Sequence, residues 1–147
     1  MATVHANLNL LHDMEFTAHA PSGHSLTLDV GSESGGHGMG LEPLDLVLLS
    51  LGGCLGMSAL SILRKKRQEI THYEIRITAQ QADSQPHVYH EIELDHILAG
   101  HGLDEAAVAR SLQLAEEKYC PVSAMLRGSV KIINKFRIIP DAEHETK

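Results

Sequence analysis

The chain has 147 residues, enough for one compact domain and too few for two ordinary ones. Nineteen Asp and Glu against twelve Lys and Arg leave a formal charge of −7, which disfavours nucleic acid or an anionic membrane surface as partner and favours small molecules or another copy of the chain. The two cysteines, Cys54 and Cys120, are too few for a disulfide-stapled scaffold and supply half of a four-thiolate zinc site, which leaves a redox pair or two buried thiols.

The N-terminus has no basic segment followed by an apolar stretch, so no secretory signal is expected and a cytoplasmic location is. Three short strands are predicted at Thr3 to Leu10, Met14 to Ala20 and His24 to Val30. In the third, Leu26, Leu28 and Val30 alternate with Ser25, Thr27 and Asp29. Residues 31–41 hold five glycines between Gly31 and Gly40, have no apolar periodicity, and read as a mobile, flap-like loop. Without a buried parallel strand before it, this is not a phosphate-binding turn.

Pro43 suits a first helical position, and a helix is predicted from there to about Gln68, closed by the basic run Arg64 to Arg67. Leu46 to Leu63 carries no formal charge, which raises a membrane span. The run is short for one, contains three Ser and three Gly, and is flanked by half-buried strand patterns, so a buried core helix is expected and no membrane. Gly52, Gly53 and Gly56 each cost about 1 kcal/mol against alanine in a helix interior, which predicts close approach of another backbone.

Two alternating runs, His72 to Ala79 and Val88 to Leu98, predict a long antiparallel hairpin. Asp104 is the predicted N-cap of a helix through Tyr119, interrupted by Pro121. A short turn at Val122 to Leu126 and a strand with Val130, Ile132, Phe136 and Ile138 on one side follow. The order is that of an α+β fold in a single domain over 1–147, with a polar, frayed tail at 141–147. His87, His90 and His96 read as scattered solvated histidines rather than metal ligands, Glu116 and Glu117 as solvent-facing, and no metal or bound cofactor is expected.

Cys54 lies within the apolar helix. Cys120 lies between two helical segments, next to N-terminal amides that would lower its pKa. Their pairing is compatible with two inert buried thiols, or with a peroxidatic and resolving pair if the sulfurs come within bonding reach. The segments Glu42-Pro43-Leu44-Asp45-Leu46-Val47-Leu48-Leu49-Ser50-Leu51-Gly52-Gly53-Cys54 and Lys118-Tyr119-Cys120-Pro121-Val122-Ser123-Ala124-Met125-Leu126-Arg127-Gly128-Ser129-Val130 resemble the two cysteine motifs of the OsmC/Ohr family of osmotically inducible and organic hydroperoxide resistance proteins. The resemblance runs from about His24 to Ile138, and Ser61 to Gln68 and Glu116 to Cys120 are most similar to the general OsmC-like branch.

That resemblance implies an OsmC-like fold, antiparallel sheets around a long buried central helix, in an intertwined homodimer. It implies reduction of hydroperoxides at the expense of an external thiol, possibly a dithiol, with Cys54 peroxidatic and Cys120 resolving. The family's peroxidases add an N-terminal arginine and a glutamate ten residues before the first cysteine. This chain has no arginine before Arg64, and Leu44 stands at the glutamate position. His24, Glu42 and Asp45 are the auxiliary candidates, although along an ideal helix Asp45 falls on the side opposite Cys54. The alternative reading is a non-catalytic member that binds a small apolar ligand in a dimer-interface pocket.

Overall fold

The computed structural model describes residues 1–141; the predicted tail beyond Asp141 lies outside the described residues. The chain forms two compact units, residues 1–47 and the remainder, joined through one continuous helix.

In the first unit, β1 (Asn7–His12), β2 (Glu15–His19) and β3 (Ser25–Leu28) form an antiparallel sheet in the order β1-β2-β3, close to the predicted positions. The β1–β2 ladder pairs Leu10 with Phe16, then breaks register to pair His12 with Glu15, and Asp13 turns the chain at φ 49°. The glycine-rich segment is tied down rather than loose. The carboxylate of Asp29, 2 % exposed, accepts backbone N–H bonds from Val30, His37 and Met39 at 2.8, 3.1 and 3.1 Å. Leu41 N–H bonds to Thr27 O at 3.1 Å and closes the loop onto β3. Gly36 lies so close to the Val30 carbonyl that a Cβ there would overlap it, which explains one of the five glycines by close approach.

The second unit begins within α1 (Pro43–Lys65). The helix stops three residues before the predicted Gln68, because Arg67 takes up φ 57° and the Gln68 N–H returns to Leu63 O at 3.0 Å. β4 (Glu69–Gln81) and β5 (Tyr89–His101) form the expected antiparallel hairpin. α2 (Glu105–Leu114) is capped by Asp104, whose side chain accepts from Ala106 N at 3.0 Å. A π-helical turn at Ala115–Tyr119 and α3 (Pro121–Leu126) lead to β6 (Lys131–Ile138).

β6 runs parallel to β5, which corrects the expectation of purely antiparallel sheets. The physical reason is the connection: α2, the π turn and α3 form a crossover long enough to bring the chain back to the same end of the sheet. On the outer face Glu91, Glu93 and Asp95 of β5 meet Lys131, Lys135 and Arg137 of β6 at 3.2, 2.8 and 3.5 Å, a charge pattern that favours this register.

The core joins Leu51, Leu55, Ala59 and Leu63 of α1 to Ile92, Leu94 and Leu98 of β5 and Val108 and Leu112 of α2. Burying each leucine contributes about 1.5–3 kcal/mol. The chain covers only part of α1, however, and leaves Leu49 54 % and Met57 76 % exposed. By length and composition α1 could cross a membrane, with 33 % of its most apolar window buried inside the molecule. The glycine expectation is corrected as well. Gly52 and Gly56 face the Cδ1 atoms of Ile77 and Ile75 of β4, each 2.7 Å from where a Cβ would stand, so side chains rather than a backbone fill the space. Asp141 is not frayed: its carboxylate accepts from the Thr71 hydroxyl and lies 3.1 Å from His101 Nδ1.

Candidate active site

The two thiols are held by the second unit. Cys54 lies one turn before Ser58 on α1, half-buried. Cys120 is placed by the helix break that follows α2. Pro121 has no N–H and pushes the residue before it out of the helical region, so Cys120 sits at φ −85°, ψ 106°. The extra residue of the π turn is absorbed by the Cys120 N–H bond to Ala115 O at 2.8 Å, and the same cysteine then caps α3, its sulfur accepting from Ser123 N at 3.2 Å.

Cys120 is 2 % exposed, and both cysteines are free thiols that adjoin each other. Burial, with the adjoining Cys54 thiol second, pushes the Cys120 pKa up to about 11, against the smaller lowering effect of the Ser123 and Val122 amides. The expectation of an acidic Cys120 is thereby overturned: desolvation outweighs the amides of a short helix. The Ser123 hydroxyl, fully buried beside Cys120, has no hydrogen-bond partner among the described residues. Nothing in the sequence pattern singled it out, because a serine after Cys-Pro-Val reads as an ordinary helix-turn residue.

Of the grooves along α1, two extend to neighbouring elements. One, of about 390 Å³, runs between the Leu49, Gly53 and Met57 side of the helix and Tyr73, Ile75 and Ile77 of β4. The other, of about 440 Å³, is lined by Met57, Ser58, Ser61, Ile62, Lys65, Leu114 and Tyr119. It begins one helical turn beyond Cys54 and ends at the neighbour of Cys120. Apolar walls carrying two hydroxyls, a phenol and one ammonium suit an amphipathic molecule.

Tyr73, the polar residue of the first groove, is tied into a chain of side chains centred on His96. Its hydroxyl lies 2.7 Å from His96 Nδ1, His96 Nε2 lies 2.8 Å from Asn134 Oδ1, and Asn134 Nδ2 donates to Glu116 Oε2 at 2.9 Å. His96 is fully buried, which corrects its reading as solvated, and Glu116 is half-buried rather than solvent-facing. Burial lowers the His96 pKa and raises that of Tyr73. His87, by contrast, is exposed, with Nδ1 2.9 Å from Ala82 O.

The auxiliary candidates belong to the first unit. His24 is exposed, with Nδ1 3.1 Å from Ser22 Oγ, and Asp45 accepts from the Glu42 N–H at 3.0 Å, which employs it at the start of α1. Glu42 is exposed. Among the described residues the side chains that converge as a metal-donor group are His12, Asp13 and His37, not the thiols.

Residues 36–135 match the model of the OsmC-like protein family. The chain is 32 % identical to Protein YhfA of Escherichia coli K12 over 134 residues, 91 % of this chain and 97 % of that one. A hypothetical protein from Aquifex aeolicus VF5 superposes with a TM-score of 0.84 at 29 % identity, covering 96 % of this chain and 99 % of that one. An organic hydroperoxide resistance protein OsmC from Legionella pneumophila has the same fold at 16 % identity, with a TM-score of 0.66 over 92 % of this chain and 97 % of its own. With the two cysteine segments brought together on α1 and before α3, and two thirds of the sequence inside the family model, the chain belongs to the OsmC-like protein family, in its general OsmC-like branch.

Proposed function

We propose that this protein reduces organic hydroperoxides through Cys54 and Cys120. The observation that carries the reading is that the two free thiols adjoin each other, one half-buried and one fully buried, with Cys54 close enough to help raise the Cys120 pKa. The Cys54 thiolate attacks the outer oxygen of ROOH; the O–O bond breaks, the alkoxide takes up a proton and leaves as ROH, and Cys54 becomes a sulfenic acid. Cys120 then attacks that sulfur. Its own proton departs with the hydroxide as water, and a Cys54–Cys120 disulfide forms, which an external dithiol returns to two thiols. The raised pKa of Cys120 suits the second role, since it stays protonated while Cys54 reacts.

The reading includes a homodimer. Each unit leaves large apolar side chains uncovered for a partner copy to bury: Leu8, Leu10 and Leu11 on β1 are 52–61 % exposed in the first, and Leu49 and Met57 on α1 are exposed in the second. It also includes a cytoplasmic setting, where thiol reductants regenerate the pair. His24, Glu42 and Asp45 remain auxiliary candidates in that assembly, with no bound cofactor, nucleic acid or membrane required.

One observation favours a second reading. The chain has no arginine before Arg64 to hold the Cys54 thiolate, and the 440 Å³ groove that starts one helical turn beyond Cys54 would equally suit a non-catalytic protein that binds a small amphipathic molecule. Consumption of cumene hydroperoxide with dihydrolipoamide as reductant separates the two. Catalysis predicts turnover lost in Cys54→Ser, with peroxide-treated wild type losing the mass of two hydrogens. Equal, slow consumption by wild type and Cys54→Ser would sink it and leave ligand binding.

A further inference from the structure

We propose that His12, Asp13 and His37 form a binding site for a divalent transition-metal ion of the zinc class, with Glu15 orienting His12. All four residues belong to the first unit, and the site does not depend on the thiol chemistry. Their donor atoms come from two segments far apart in sequence. The β1–β2 hairpin supplies His12 and Glu15 as a cross-strand pair and Asp13 at its tip. The glycine-rich segment supplies His37, whose backbone N–H is fixed by the buried Asp29 carboxylate at 3.1 Å.

The distances fit one small cation. His37 Nε2 lies 2.7 Å and His12 Nδ1 lies 3.7 Å from the same oxygen of Asp13, and a donor set drawn from the three residues lies within 4.8 Å of one another. In a tetrahedral zinc shell, bonds of about 2.0–2.1 Å put neighbouring donors about 3.3 Å apart, between the two observed spacings. The histidine rings meet edge to face at 6.0 Å between centroids, so neither blocks the other's approach.

Glu15 supplies the independent observation. Its side chain is only 13 % exposed, and its carboxylate lies 3.2 Å from His12 Nε2. An ionised carboxylate only accepts, so at this distance Glu15 favours a ring proton on Nε2 and an Nδ1 lone pair on the side of the Asp13 oxygen. That is the carboxylate–histidine arrangement that surrounds metal-ligating imidazoles, where the outer carboxylate fixes the tautomer and raises ligand basicity.

Two imidazoles and one carboxylate select zinc, nickel, cobalt or copper(II) over magnesium and calcium, which prefer all-oxygen shells. The three side chains are 55–59 % exposed, so a fourth position stays open to water and the ion exchanges with solvent.

The test uses the untagged full-length protein titrated with zinc chloride against a chromophoric chelator, with histidine ring resonances followed by NMR. One zinc per chain should bind saturably in the micromolar range and move the His12 and His37 signals. His12→Gln and His37→Gln should each weaken binding at least about tenfold, and Glu15→Gln by about tenfold, the range seen for outer carboxylates. His87→Gln/His90→Gln should leave the affinity unchanged, and far-UV circular dichroism reports whether each variant keeps its fold. Absence of saturable micromolar binding, or equal affinity in His12→Gln and His37→Gln, overturns the site. Equal affinity in Glu15→Gln alone overturns the orienting role.

Discussion

Tyr73 donates its phenolic proton to Nδ1 of His96 across 2.7 Å. The direction follows from the far end of the chain of bonds. Asn134 spends its amide N–H on Glu116, so its carbonyl oxygen faces His96 and accepts from Nε2–H, which leaves Nδ1 as the acceptor. A neutral imidazole satisfies every partner, and a second ring proton would face the Tyr73 hydroxyl in a buried site.

This gives a pH dependence with a definite sign. Burial lowers the His96 pKa below its ordinary 6.5, so below that value the unfolded chain binds a proton that the folded chain refuses. Stability from this residue is full above pH 6.5 and falls as the pH drops toward the folded value. Urea unfolding at pH 7.5 and 5.5 should show a larger loss for wild type than for His96→Leu. At pH 7.5 the variant itself should be about 1–3 kcal/mol less stable, because Tyr73 and Asn134 lose their partner. Parallel pH dependence in the two proteins would contradict the assignment.

Gly52 and Ile77 make a second, purely steric pair. A Cβ on Gly52 would stand 2.7 Å from Ile77 Cδ1, so Gly52→Ala sets a helix gain of about 1 kcal/mol against an overpacking cost of about 1–3 kcal/mol. Ile77→Val removes that very methyl, at about 0.5–1.5 kcal/mol alone. The double variant should be more stable than the sum of the single changes allows, by about 0.5 kcal/mol or more. Additive losses in thermal unfolding would show that the helix moves aside instead.

These pairs mark where the sequence was readable. The Asp104 cap, the β4–β5 hairpin and the stop before Pro121 depend on residues a few positions apart, and each stands where local pattern placed it. The parallel β6 was not legible, since strand direction is decided by the crossover and not by the alternation of Ile132 and Phe136. The family was legible through the two cysteine segments. The chain from Tyr73 through His96 to Asn134 was not, because its bonds join residues 23 and 38 apart, and a histidine between Asp95 and Ile97 gives no hint that its ring is buried. His12 and His37 escaped for the same reason: no sequence spacing encodes a loop folded back onto a hairpin tip.

For the thiols the expected titration is equally directional. The Cys120 pKa of about 11 exceeds its ordinary 9.0, so the folded chain keeps a proton that the unfolded chain loses. The stability tied to this thiol is full below pH 9 and declines as the pH rises through about 11. Cys54→Ala removes two of the three influences that raise it, so thiolate absorbance of that variant should show Cys120 titrating below wild type yet still above the ordinary value, as burial persists. At pH 8 iodoacetamide should modify half-buried Cys54 well before Cys120, as peptide mapping would report.

Ser123 separates stability from turnover most cleanly. A buried hydroxyl without a partner carries a desolvation cost of about 1–3 kcal/mol, so Ser123→Ala should leave the protein as stable as wild type or more so by about 1 kcal/mol. The Cys120 sulfur should be unaffected, since it accepts from the Ser123 backbone N–H and not from the side chain. If the hydroxyl serves the hydroperoxide oxygens during reduction, the same substitution should lower kcat/KM for cumene hydroperoxide by about tenfold, the size of one lost hydrogen bond of about 1.4 kcal/mol in the transition state. Unchanged turnover with raised stability would reduce Ser123 to a packing residue. A stability loss beyond about 1 kcal/mol would mean that the hydroxyl has a partner in the assembled protein.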